Sequence, residues 1–249
     1  MLIENLTIYL NSVTQAMLLK GFSLSDFSHS IEHYPQNLLL LESTNPTGIY
    51  EPTIRLCTIL GRNNVATYFQ SAQQNEHHQI IKWIDFSDLS LLKELSALEL
   101  SELLYLSHMK KPITSPFFYK LQNHFIYFND EMKFSKIYYR SLDEFYRMLA
   151  SKIVQLTFFK INNRTLFLRK KILIEKPTLE FLEKMKPLFE KGIKLAFTKA
   201  TFTRHVFALP IYLKNPLNED ESTEQKKLIA LAAHIVYHSK EKTWTLQHI

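Results

Sequence analysis

Two histidines flank a glutamate in His29-Ser30-Ile31-Glu32-His33, an H-x-x-E-H string with the spacing of a metal-ligand pair. On a helix, residues four apart share a face, so both imidazoles could hold one zinc ion while Glu32 activates a bound water. A third ligand must come from elsewhere, and Glu99 or Glu102 could supply it. Tyr34-Pro35 follows at once and ends any helix there. His234 and His238 repeat the four-residue spacing without an intervening glutamate, and His77-His78 sit in a polar stretch. The string therefore supports only an alternative reading, a metal-dependent hydrolase using His29, Glu32 and His33.

A second chemistry is carried by charge. Residues 1–110 hold 6 Lys+Arg against 11 Asp+Glu, residues 111–214 hold 20 against 8, and residues 215–249 hold 4 against 5. The middle stretch also carries 20 of the 32 aromatic residues. Cationic side chains attract phosphate oxygens and exposed aromatic rings stack on unpaired bases, so an acidic partner, nucleic acid first, is the natural expectation. Lys133, Lys136 and Arg140 in one strand-like run, and Arg169, Lys170 and Lys171 in another, are the candidate contact residues. A further run has Ile193, Leu195 and Phe197 on one face and Lys194 on the other. Lysines outnumber arginines, 23 to 7, which favours charge attraction over base reading, because bidentate contact with bases relies on the guanidinium fork. The acidic residues of 1–110 could instead pair with the basic segment internally. The leading expectation is a non-catalytic binding or regulatory protein.

Other chemistries are excluded. The chain has only 4 glycines where average usage of roughly 7% would give about 17. Gly21, Gly48, Gly61 and Gly192 are too dispersed to build a phosphate-cradling loop or a nucleophile elbow. If this chain meets phosphate, side chains must do it. The single cysteine, Cys57, allows no internal disulfide and no cysteine cluster for zinc, and its context reads as a buried strand. No apolar run approaches the roughly 20 residues of a membrane span. The opening residues lack a basic region before an apolar one, so a cytoplasmic location is expected and no membrane partner is. No feature of the sequence sets an oligomeric state.

These residues must be positioned by helices and strands. Ile3, Leu6, Leu10, Val13 and Met17 follow helical spacing, with Gly21 as a stop. Ser96-Ala97-Leu98-Glu99, Ser141-Leu142-Asp143-Glu144 and Ser222 to Gln225 read as capping boxes, the last opening a helix through Leu228, Leu231 and Ile235. Thr178 caps a further helix that Pro187 should divide before Gly192. Ile54–Leu60, Gln79–Phe86, His124–Phe128, Lys133–Tyr139, Leu166–Ile174, Ile193–Phe202 and His205–Leu213 read as strands. A winged-helix reading of 96–140 is available, but its recognition helix over Ser115–Asn123 is too apolar for a major groove. Helices and strands alternate without a βαβ beat, so the expected class is α+β, mostly antiparallel, in one compact unit with a compositional shift near residue 110.

Overall fold

The computed structural model describes residues 5–41, 48–52, 54–75, 80–107, 119–129, 134–162, 172–214 and 230–249. The chain begins with β1 (Leu6–Asn11), β2 (Ala16–Lys20), α1 (Leu24–Ser28), β3 (Asn37–Leu40), β4 (Ile49–Glu51) and β5 (Leu56–Leu60). Next come α2 (Arg62–Asn75), β6 (Ile81–Phe86), α3 (Ala97–Ser107), β7 (Phe125–Asn129), β8 (Phe134–Tyr139) and α4 (Leu142–Asn162). The last elements are α5 (Leu179–Glu183), α6 (Lys186–Lys191), β9 (Ile193–Leu195), β10 (Thr201–Thr203), β11 (Val206–Leu213), β12 (Leu231–His238) and β13 (Thr243–His248). The class is α+β with antiparallel strands, as the mixed hydrophobic periods indicate. Among the described residues no helix is long and apolar enough to cross a membrane.

The chain divides into two compact units. Unit 1 comprises Met1–Leu10, Leu18–Phe22 and Phe145–Ile249, and unit 2 comprises Asn11–Met17 and Ser23–Glu144. The last change of unit falls at Glu144–Phe145; residues 108–118, where the charge composition shifts, lie outside the described residues.

In unit 1 the strands run β13-β12-β11-β9-β1-β2, with β10 paired to β11. Leu6, Ile8, Ile193, Leu195, Leu209, Ile211, Ala233, Ile235 and Tyr237 are all fully buried, at alternate positions on their strands. Period-two burial of this kind gives the sheet one dry face and one half-wet face. Thr178 Oγ1 accepts from Phe181 N at 3.2 Å and caps α5, and Pro187 stands in the first turn of α6, so the expected division occurs. Gly192 ends α6 with φ +78°.

In unit 2 the order is β8-β7-β6-β3-β5-β4. Its centre is aromatic. Phe27 of α1 meets the rings of Phe69, Trp83, Phe125, Tyr127 and Tyr139, with centroids 5.2–6.3 Å apart. Trp83 and Tyr127 are cross-strand partners and stack at 5.3 Å. Many of the aromatics counted above as a candidate stacking surface are thus core. The Ser96 capping box forms as read: Glu99 Oε2 accepts from Ser96 N at 2.7 Å, and Ser96 Oγ accepts from Glu99 N at 3.3 Å.

Two expected helices are strands. The N-terminal segment is β1 and β2, joined by a turn in which Asn11 Oδ1 accepts from Val13 N and Thr14 N at 3.1 and 3.2 Å. The burial of Leu6, Ile8 and Leu10 alternates, and a step of four is even, so the pair 6 and 10 satisfies both periods. Leu231–His238 is β12, where buried Ala233, Ile235 and Tyr237 alternate between β11 and β13; the capping box at Ser222–Gln225 lies outside the described residues. Ile193–Phe202 is broken into β9, a 3-10 turn and β10. Residues 172–178 form no strand, and 163–171 are outside the described residues. The proposed recognition helix contributes only a 3-10 turn, Tyr119–Leu121, among those residues.

Gly21 follows β2 with φ +86°, and an added Cβ would lie 2.9 Å from both Asn5 O and Leu6 Cδ2. Gly21→Ala is therefore expected to destabilise the protein by about 2 kcal/mol, read as a lower urea midpoint at unchanged slope. Gly61 also has positive φ, but nothing lies within 4 Å of its added Cβ, so Gly61→Ala should cost less.

Candidate functional site

Of the basic candidates, Lys133, Arg169, Lys170 and Lys171 lie outside the described residues. Lys136 on β8 is half-buried, with Nζ 5.2 Å from the Tyr138 ring centre, and burial lowers its pKa. Arg140 follows β8; its main-chain N donates to His124 O at 2.9 Å, and its charge acts on Asp85 and His124. Lys136 and Arg140 thus have distinct surroundings. Internal acid–base pairing of the kind foreseen occurs at Lys120, whose Nζ lies 2.9 Å from Glu99 Oε2.

Unit 1 brings together a different set of lysines. β9 lies between β1 and β11, and the register aligns Thr7, Lys194 and Tyr212 in one row across the sheet. Side chains directly opposite one another point to the same face. This face is opposite to the dry one, because Ile193 and Leu195, the neighbours of Lys194 in sequence, are both fully buried. Lys199 ends the 3-10 turn Phe197–Lys199 and holds its Nζ 4.7 Å from the Tyr212 ring centre. Asn5 Oδ1 fixes that turn by accepting from Thr198 N at 3.1 Å and Thr198 Oγ1 at 3.0 Å. The nearly buried Lys160 supports it from inside, donating to Thr198 O at 3.3 Å. Lys214 directly follows β11, and its main-chain N donates to Gly192 O at 3.0 Å. Lys20 ends β2, the strand beside β1.

Lysine charges act on one another across this face. Burial lowers the pKa of Lys194, and Lys214, Lys199 and Lys20 lower it further. Among the described residues, the charges that act on Lys194 are those of other lysines. Four ammonium groups from four chain segments can offer point-charge contacts to phosphate oxygens, which have no strict directional demand. The Tyr212 ring is covered by Lys199, which leaves it ill-placed to stack a base. Composition had pointed to residues 111–214 and alternation to Lys194. Lys20 was not legible, because it reaches the face only through the pairing of distant strands.

The histidine string folds differently from its helical reading. α1 stops at Ser28, and His29 is its C-terminal cap, with Nδ1 2.7 Å from Ser25 O. His29 and His33 therefore do not share a helix face. Glu99 is engaged by Ser96 and Lys120, and those bonds lower its pKa to about 2. No group of three or more His, Cys, Asp or Glu that could hold a metal is present among the described residues. His234 and His238 lie on β12, not on a helix.

Glu32 and His33 line a cleft of about 330 Å3 in unit 2, together with Tyr34, Gln36, Arg62, Asp85, Gln122, His124, Phe125 and Glu144. At its base Asp85, 5% exposed, accepts from His124 N through both carboxylate oxygens at 2.9 and 3.0 Å, and from Phe125 N at 2.6 Å. These bonds and Arg140 favour the ion; burial outweighs them and raises the pKa to about 7. The buried Asn37 ties the walls. Its Nδ2 donates to Phe86 O and Ser87 O at 3.3 and 3.0 Å, and its Oδ1 accepts from Gly61 N at 3.0 Å. That places the start of α2, and hence Arg62, beside the end of β6. Val65, Tyr68, Phe69 and Ala72 are the buried stripe of α2, a helical period that was not among the elements expected from the sequence.

Compared with known proteins, the chain matches no family model, no curated protein and no solved structure.

Proposed function

We propose that this is a cytoplasmic, non-catalytic binding protein that takes the phosphate backbone of nucleic acid on the face formed by Lys20, Lys194, Lys199 and Lys214. The observation that carries the reading is the placing of Lys194 on the open side of the β1–β9–β11 row, with Lys199 over Tyr212 in the same row; burial lowers the pKa of Lys194, and the charges of Lys214, Lys199 and Lys20 lower it further. Bound phosphates would relieve the repulsion among these lysines and release condensed counterions. Recognition is by charge, since Lys199 covers the Tyr212 ring and, among the described residues, no arginine belongs to the cluster. The scarcity of glycine agrees with a site made of side chains.

The test is the salt dependence of binding to a short fluorescent duplex, followed by anisotropy between about 50 and 200 mM salt. Four phosphate contacts predict a log–log slope of about −3.6, or about −2.8 for a single strand. Permuting the base sequence should leave the affinity unchanged. A slope near zero, or strong dependence on base sequence, would contradict this function. Lys194→Ala should reduce the slope by about one contact's share while leaving the fold intact.

A further inference from the structure

We propose that the unit 2 cleft binds the carboxylate of a small organic acid, with Arg62 as its main anchor and His33 and His124 as additional donors. This site is in the other unit from the lysine face and takes another class of ligand, so it does not depend on the nucleic-acid reading.

Two donors of the cleft point to a carboxylate. Its deepest acceptor, Asp85, is already engaged by two main-chain amides. Arg62 and His33, by contrast, make no hydrogen bond or ion pair among the described residues. Arg62 and His33 are therefore the uncommitted donors of the cleft, while Glu144 Oε2 is a buried acceptor that would take a donor from the ligand. Asn37 holds the anchor in place, since it fixes Gly61, the residue before Arg62, against Phe86 and Ser87.

The remaining lining narrows the ligand. A guanidinium offers a planar fork that fits a carboxylate through two parallel bonds. Glu32 and Glu144 also line the cleft and disfavour a more highly charged anion such as phosphate. Tyr34, Phe86 and Phe125 supply apolar wall for an organic body. The volume, about 330 Å3, lies at the small end of the ~300–1,000 Å3 range of small-molecule sites.

The experiment is calorimetric titration of the full chain with benzoate, with inorganic phosphate as the competing probe. Saturable binding of benzoate is expected, weakened about tenfold or more by Arg62→Ala and less by Arg62→Lys. Arg62 is exposed, so both variants should fold, and their circular dichroism checks this. Lys194→Glu with Lys199→Glu should leave benzoate binding unchanged. Absence of benzoate binding would overturn the proposal, as would full retention in Arg62→Ala or loss in the lysine variant. Phosphate binding as tightly as benzoate at Arg62 would overturn the assignment to a carboxylate.

Discussion

Replacing Lys194 and Lys199 together by glutamate is expected to weaken binding to a nucleic-acid duplex about a hundredfold or more at low salt. Each substitution removes one attractive contact and adds a like-charge opposition to phosphate, which is the costlier part. The salt slope should also fall by about 1.8, the share of two duplex contacts. The fold should survive, because Lys199 is exposed and Lys194 half-buried on the wet side of its sheet. A companion measurement separates electrostatics from packing. Lys194 carries a pKa below the usual lysine value, so the folded state holds its proton less tightly than the unfolded chain. Its contribution to stability therefore rises with pH as the ordinary lysine pKa is approached from below. At neutral pH and low salt the charge is a cost, and Lys194→Gln should slightly raise the unfolding midpoint while lowering affinity. A residue retained only for the fold would not show those opposite signs.

The largest effect on stability is expected at Asp85. Asp85→Ala leaves the amides of His124 and Phe125 without their acceptor where β7 begins, and Phe125 belongs to the aromatic centre of unit 2. An unsatisfied buried donor costs about 1–3 kcal/mol, so the loss should be about 4 kcal/mol in urea unfolding. Asp85→Asn keeps shape and one acceptor oxygen, and should cost less. The pH dependence follows from the raised pKa. Between its ordinary value near 3.8 and about 7, the folded protein keeps a proton on this carboxyl that the unfolded chain has released. The carboxyl's relative contribution is thus full below pH 3.8 and is lost as pH rises toward 7. That slope should vanish from the difference between wild type and Asp85→Asn if another group is responsible, and persist if Asp85 is.

How far the sequence discloses this fold depends on whether a segment's hydrophobic period is unambiguous. α3 and α4 combine a helical stripe with a serine just before the first turn, and β5, β6, β7, β8 and β11 are dense in β-branched or aromatic residues. Those elements are where they were expected. β1 and β12 were read as helices because Leu6 and Leu10, or Leu231 and Ile235, are four apart, a spacing that fits either period. Only cross-strand pairing decides, and a single chain segment does not contain its partner. The same limit governs the site. Lys194 was readable from its alternation with Ile193 and Leu195, whereas Lys20 joins it through β2, β1 and β9. Asp85 and Arg62 are separated along the chain and meet at one cleft because Asn37 binds main chain from both segments. The aromatic richness of 111–214 had a simpler cause than base stacking: Tyr127, Tyr139, Phe145, Phe189, Phe197 and Phe207 fill the cores.

The most direct test of the lysine face is a labelling footprint. The protein is treated with an amine-acetylating reagent, with and without a saturating nucleic-acid duplex at low salt, and each lysine is quantified by mass spectrometry. Lys20, Lys194, Lys199 and Lys214 should become strongly protected by the duplex, while Lys184 and Lys242, exposed and paired with Glu180 and Glu175, should acetylate as before. Protection of other lysines with Lys194 and Lys199 unchanged would contradict the assignment.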